Sequence, residues 1–301
     1  MRKKVILAGG TGFTGNYFEK RFSEMGYEVY IISRQQPHIT WQEKDNIQQA
    51  LEGAELLLNL AGKSVNCRYH EKNKKEIFSS RTETTNLLGE LVATCKTPPK
   101  LWINASTATI YRHAEDRAMT EEKGEIGTGF SVEVAKAWEQ AFFSHKLKET
   151  RQVTLRISIV LGQSGGVMIP YSTLAKFGLG GHQGNGKQMF SWIHIEDLFQ
   201  MVLFTMTYEE VEGIYNAAAP FPITNRTFMK TVRMAYNRKL GLPATKWMLE
   251  VGAFFLRTET ELLLKSRWVT PDRFLQKGFT FQYPTIEVAL EEISTKGLYR
   301  T

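Results

Sequence analysis

The chain of 301 residues, 42% hydrophobic and 23% charged, has the proportions of a soluble globular protein with one large core or two modest ones. Its formal charge of +7 suits anionic small molecules, but the basic residues are scattered, and the densest cluster, Lys72-Asn73-Lys74-Lys75, is broken by Glu71 and Glu76, which argues against nucleic acid as a partner. Cys67 and Cys95 make neither a disulfide framework nor a metal site, and the longest uncharged stretch, Ile157 to Ala175, is interrupted by Gly162, Gly165, Gly166 and Pro170, so no membrane span is expected and the expected setting is cytoplasmic.

The first element is the apolar run Val5-Ile6-Leu7-Ala8, a strand leading into Gly9-Gly10-Thr11-Gly12-Phe13-Thr14-Gly15 and then a helix-compatible stretch, Asn16 to Met25. A strand, a Gly-x-x-Gly-x-x-Gly turn and a helix together form the setting of a dinucleotide phosphate site. Gly9 permits the tight turn, Gly12 lets backbone N–H groups approach a pyrophosphate at the positive helix end, and Gly15 lets the helix sit close on the strand. Thr11, Phe13 and Thr14 share that loop. The second strand, Glu28 to Ser33, runs into Arg34. An acid at this point takes the adenosine ribose hydroxyls, whereas an arginine pairs with a 2′-phosphate. Arg34 stands there with no acid beside it, so NADP (NADPH) is the expected cofactor, with Ser33 at its edge.

His38 to Trp41 reads as a short third strand and Asp45 to Leu51 as a helix. Glu55 to Gly62 is nearly continuous in apolar residues, as a buried parallel strand is, and its end, Leu60-Ala61-Gly62, offers backbone for close approach to ribose and nicotinamide. Glu71 to Thr94 has a helical spacing at Leu87, Leu88, Leu91 and Val92. Leu101 to Ala105 is a strand followed by the hydroxyl-rich Ser106-Thr107-Ala108-Thr109-Ile110-Tyr111; Phe130 to Lys148 is helical and Val153 to Leu161 is a sixth strand. Beyond Gly162 the pattern loosens, and the glycines of 178–181 and 184–186 mark a mobile or ligand-facing loop. Met189 to Ile193 reads as a strand, Glu196 to Thr207 as a helix, Gly213 to Ala217 as a strand, and Thr224 to Thr301 as mostly helical. The alternation predicts an α/β fold, a Rossmann doubly wound parallel sheet. Residues 1–165 form it and 189–218 return to it; 166–188 and 219–301 make a smaller, mostly helical C-terminal substrate domain, or lid.

Taken together these motifs resemble the extended branch of the short-chain dehydrogenase/reductase superfamily, and within it the atypical group labelled predicted nucleoside-diphosphate-sugar epimerases. The residues that carry the resemblance are Gly9 to Gly15; Asn59-Leu60-Ala61-Gly62; Ser80-Arg81 with Thr84-Thr85-Asn86-Leu87; and Phe130-x-x-Glu133-Val134 with Trp138-Glu139. They continue through Gly178-Leu179-Gly180-Gly181, Gly184-x-Gly186-Lys187-Gln188, Ser191 to Asp197, Tyr215 to Pro220, and the late Pro271, Gly278-Phe279 and Tyr283-Pro284.

The resemblance implies an NADP-dependent oxidoreductase or epimerase. Orthodox members hold the substrate carbonyl with a Ser or Thr at the end of the fifth strand and exchange the proton through a Tyr-x-x-x-Lys pair on the next helix. None of the eleven tyrosines here has lysine four residues on. By motif position Thr107, with Ser106 beside it, is the carbonyl-holding hydroxyl; Lys136 stands for the lysine and Val132 for the tyrosine. Two readings follow. In one, hydride moves to or from a small carbonyl, alcohol or nucleotide-linked sugar, and the proton comes from Tyr111, Lys136, His194 or a water on Thr107. In the other, the protein binds NADP(H) without chemistry, as a redox or metabolite sensor. His194 has a structural alternative, with Asp197 capping the helix that follows. Lys187 is either a substrate contact or a solvated loop residue. No metal site is expected; the expected partner is a small-molecule substrate, and the expected assembly is a monomer or homodimer.

Overall fold

A computed structural model describes residues 3–163, 165–245 and 264–298. Its elements in chain order are β1 (Lys4–Ala8), α1 (Phe13–Glu24), β2 (Glu28–Ser33), β3 (Ile39–Thr40), α2 (Lys44–Leu51), β4 (Leu56–Asn59), α3 (Glu71–Thr94), β5 (Leu101–Thr107), α4 (Phe130–Ser144), β6 (Arg151–Ile157), β7 (Ile159–Leu161) and α5 (Met168–Lys176). They continue as β8 (Met189–Phe190), β9 (Trp192–His194), α6 (Ile195–Thr207), β10 (Gly213–Ala217), β11 (Ile223–Thr224), α7 (Asn225–Ala235), α8 (Asp272–Gln276) and α9 (Ile286–Leu298). Seven strands form one sheet in the order β10-β6-β5-β4-β1-β2-β3, and each neighbouring pair is parallel. The winding reverses between β1 and β4, which makes the crevice at their carboxyl ends the place where such a sheet receives a ligand.

Strand alternation sorts the core into two layers. Val5 and Leu7 join Phe18 and Phe22 of α1 and Leu198, Phe199 and Val202 of α6 on one face. Ile6 and Ala8 join Ile47, Leu88, Trp102 and Phe142 on the other. A separate cluster gathers α5, α7 and α9 around Tyr171, Trp192, Phe228 and Leu290. Among the described residues no helix is long and apolar enough to cross a membrane.

The doubly wound sheet stands as expected, with local corrections. The sixth strand divides at Ser158, whose N–H donates to Ala217 O at 2.9 Å. After it, β7 leaves the main sheet and pairs with β9; a run of apolar residues carries no sign of a change of partner. Met189 to Ile193 divides at Ser191, whose buried hydroxyl donates to Arg267 O and accepts from Val269 N–H, both at 2.7 Å. Helix α1 starts at Phe13, inside the glycine loop. Of the stretch 224–301, α7, α8 and α9 are helical, and residues 246–263 lie outside those described. The 178–188 loop is tied down: Gly181 N–H donates to Leu242 O at 3.1 Å and Gly184 N–H to Ala244 O at 2.9 Å.

Candidate functional site

The β1–α1 turn is built from positions that exclude side chains. Gly9 adopts a φ of +75°, and a Cβ there would lie 2.5 Å from Ala61 Cα, so the turn abuts the end of β4. Its N–H donates to Ile32 O at 2.8 Å, closing it against β2. A Cβ on Gly15 would run into the Gly10 carbonyl. Gly12 is different: it caps α1 with no side-chain hydrogen bond, and a Cβ there would meet nothing within 4 Å. The first amides of a helix have no acceptor within it, so those of Phe13, Thr14 and Gly15 stand at the positive end of α1 beside open space, with Thr11 and Gly12 exposed. The first turn of α1 carries no acidic residue to occupy that end. The Phe13 ring turns away, into a nest where a Cβ on Gly162 would lie 2.8 Å from it; its packing ties the turn to the segment after β7.

At the end of β2 the Ser33 hydroxyl donates to Gln35 O at 2.8 Å and accepts from Gln35 N–H at 3.1 Å. That turn presents Arg34, which is exposed and in no ion pair among the described residues. Glu76, bonded to Lys63, is held below the usual carboxylate range by that bond first, with Arg34 among the cations acting on it. At the end of β4, Leu60 N–H donates to Ala8 O at 2.7 Å. Ala61 N–H donates to the buried Asn59 Oδ1 at 3.0 Å. Gly62 lies directly under the Arg81 guanidinium, whose Cζ would be 2.8 Å from a Cβ there.

Thr107, Ser106 and Tyr111 come together at the end of β5, each in a different situation. Thr107 Oγ1 accepts from Thr109 N–H at 3.1 Å, which leaves its hydroxyl hydrogen to be donated. Ser106 donates to Glu139 Oε1 at 2.6 Å. Glu139, on α4, also takes both arms of Arg156 on β6, at 2.9 and 2.8 Å. Arg156 in turn donates to the Tyr111 hydroxyl at 2.9 Å, and that hydroxyl donates to Asn216 Oδ1 at 2.9 Å. Tyr111 is 1% exposed. Burial pushes its phenol above the usual range against the pull of Arg156. Burial also opposes the charge of Arg156, yet its bonds to Glu139 hold the guanidinium above its ordinary value.

Lys136 does not join this group. Its side chain is 52% exposed and its ammonium reaches Glu133, 3.3 Å away on the same helix. The face of α4 that meets the sheet is marked by Glu139; residues four apart share a helix face, so Ala135 and Ser131 lie along it. Lys136 follows Ala135 by one residue, a rotation of about 100° around the helix, which carries its side chain off that face. Val132 is fully buried against Ala108, Ile110 and Val269. At the head of that face, Ser131 Oγ stands 3.5 Å from the Tyr69 hydroxyl, a neighbour that no sequence motif announced.

His194 is also set apart. Its Nδ1 accepts from Glu196 N–H at 3.2 Å, its Nε2 lies 3.2 Å from Glu292, and its ring centroid is 3.8 Å from that of Tyr283. Thus His194 caps α6, while Asp197, expected as the cap, instead accepts from the N–H groups of Gln282 and Tyr283 at 2.8 and 3.0 Å. Lys187 is exposed on its loop. Two other cations rest on the turn after β5: Lys265 donates to Thr109 O at 2.8 Å and Arg267 to Thr109 Oγ1 at 3.1 Å. Among the described residues no cluster of His, Cys, Asp and Glu could hold a metal ion.

Comparison with known proteins agrees with this geometry. Residues 5–218 match the model of the NAD dependent epimerase/dehydratase family, and residues 244–293 match a domain of unknown function (DUF1731). The epimerase family protein SDR39U1 of Homo sapiens is 32% identical over 297 residues, covering 96% of this chain and 99% of that protein. The epimerase family protein YfhF of Bacillus subtilis (strain 168) is 31% identical over 301 residues, covering 96% and 97%. The crystal structure of human SDR39U1 (isoform 2) with NADPH superposes with a TM-score of 0.89 over 97% of this chain and 99% of that one, at 32% identity.

Proposed function

Because this chain belongs to the NAD dependent epimerase/dehydratase family, we propose that it binds NADP(H) across the carboxyl ends of β1, β2 and β4 and transfers hydride to or from a small carbonyl, alcohol or nucleotide-linked sugar. The observation that carries this reading is the uncapped end of α1, open at Gly12, together with Arg34 at the end of β2, exposed and in no ion pair among the described residues. A helix N-terminus receives a pyrophosphate and a free guanidinium receives a 2′-phosphate, so the residues present fit a phosphorylated dinucleotide. NADPH on the similar human protein supports the same choice.

In this reading Gly9, Thr11, Gly12, Phe13, Thr14 and Gly15 supply the backbone cradle, the Ser33 turn presents Arg34, and Leu60, Ala61 and Gly62 line the approach to the reactive ring. Reduced nicotinamide, when bound, supplies the hydride. Thr107 donates its hydroxyl hydrogen to the substrate oxygen and polarises the carbonyl. Ser106 and Tyr111 sit behind it, holding the shelf through Glu139, Arg156 and Asn216. Lys136 stands outside this arrangement. The proton therefore comes from a water on Thr107. The substrate-facing part in this reading is the domain expected from residues 166–188 and 219–301, of which 246–263 and 299–301 lie outside those described, and the sheet is that of 1–165 and 189–218.

A second reading, a silent NADP(H)-binding sensor, is favoured by one observation: the sheet-facing positions Ser131 and Ala135 of α4 carry neither phenol nor ammonium. Calorimetric titration with NADPH combined with a scan of carbonyl and alcohol substrates at the reduced-nicotinamide absorbance decides between them. Binding with turnover supports the enzyme, binding with none supports the sensor, and absence of binding at millimolar nucleotide overturns both.

A further inference from the structure

The cleft contains a cation that the roles assigned above leave unused. Arg81, on α3, is held by three elements at once. Its Nη1 donates to Ile77 O at 2.9 Å one turn back. Its guanidinium lies 5.1 Å from the Trp138 ring of α4, and that indole is fixed in turn by its Nε1 donating to Thr85 Oγ1 at 3.0 Å. Its third wall is the backbone of Gly62, where a Cβ would come 2.8 Å from Cζ and 2.9 Å from Nη2. No carboxylate pairs with Arg81 among the described residues. Removal from water pushes its pKa down to about 10, with the Tyr69 phenol acting in the opposite sense.

A guanidinium has five N–H donors, and an ordered, half-buried one without a counter-charge is costly to keep. Gly62 follows Ala61, against which the Gly9 turn packs, so the guanidinium and the turn that leads into α1 flank the same stretch of strand end. The Trp138 contact brings Arg81 of α3 to the side of α4, at the carboxyl end of β4 that Gly62 continues.

We propose that Arg81 is a positioning residue for the nicotinamide half of the dinucleotide, its uncommitted donors binding phosphate or ribose oxygens on that side. The inference rests on the NADP(H) reading above. It is tested by titrating wild-type protein and the variants Arg81→Gln and Arg81→Lys with NADPH, with reduced nicotinamide mononucleotide, and with 2′,5′-ADP, which carries only the adenosine half. The expected result is a Kd for NADPH raised about tenfold or more in Arg81→Gln and partly restored in Arg81→Lys, with the same order for the mononucleotide. The Kd for 2′,5′-ADP is expected to stay within about twofold of wild type throughout, which also reports that the variants are folded. Unchanged NADPH binding in Arg81→Gln overturns the proposal, as does an equal loss of NADPH and 2′,5′-ADP. If the wild type binds 2′,5′-ADP but gains nothing from the nicotinamide half, the proposal falls while the nucleotide site stands; if it binds none of the three, the cofactor reading falls as well.

Discussion

Replacing Arg34 with alanine is expected to erase the preference for NADPH over NADH while leaving NADH binding as it was. Arg34 is exposed, unpaired among the described residues, and presented by a turn that the Ser33 hydroxyl and the Gln35 backbone close without it, so the substitution removes charge and leaves the scaffold. Two unit charges about 4 Å apart interact by about 1 kcal/mol in bulk water and about 4 kcal/mol at an effective dielectric constant of about 20. An exposed strand end lies toward the watery limit, and Glu76 nearby, already bonded to Lys63, competes weakly for the guanidinium. A difference of about 1–2 kcal/mol remains, which is a 5- to 30-fold weaker Kd for NADPH. Fluorescence titrations with both nucleotides, at low and high salt, measure it. The NADPH advantage of the wild type shrinks as salt rises, because exposed charges are screened, and the variant loses that salt dependence. An unchanged NADPH/NADH ratio in Arg34→Ala refutes the reasoning.

Gly9→Ala places a Cβ against Ala61 on backbone with a φ of +75°, so it is expected to lower stability by about 1–3 kcal/mol and to abolish NADPH binding, measured by thermal unfolding and titration. Thr107→Val removes the hydroxyl proposed to hold the substrate oxygen: NADPH affinity is expected to hold while turnover falls about 100-fold or more, and equal turnover in the variant sinks the role given to Thr107. Glu139→Ala strands the buried Arg156 guanidinium and is expected to cost about 3–5 kcal/mol, with Glu139→Gln costing less; calorimetry distinguishes them. Burial pushes the Cys95 thiol up to about 11. At pH 8 it is about a thousandth thiolate, so iodoacetamide is expected to leave Cys95 intact for hours and to modify it faster as pH rises toward 11, as peptide mapping would show.

The scaffold was legible because its signals are local. Val5 to Ala8 alternate between two cores, the glycines that follow are required by backbone contacts, and Arg34 sits at a strand end whose position the preceding helix determines. What could not be read depends on contacts far apart in the chain. Ser158 changes the partner of a strand through Ala217, Ser191 bonds to residues 267 and 269, and Arg81 acquires its surroundings from Gly62 and Trp138. On α4 the difficulty was one of phase. A motif spacing defines distances along a helix, but the inward face is known only once Glu139 is seen to meet Ser106 and Arg156.

That phase governs which groups can lend a proton. Tyr111 stands close to the strand end that a substrate would approach, yet its proton is donated to Asn216, its oxygen is occupied by Arg156, and burial raises the cost of ionising it. Arg156 cannot lend a proton, since a guanidinium stays charged, and Glu139 is an acceptor already bound on both oxygens. The network beneath Thr107 is therefore closed to proton exchange, and its work is to hold the ends of β5, β6 and β10 in register. Thr107 is the member of this group whose hydroxyl hydrogen is left for a ligand. In the mechanism proposed above, the chemistry therefore depends on the Thr107 hydroxyl and the water it can hold, and the turnover of Thr107→Val tests that mechanism more directly than the turnover of a Tyr111 variant.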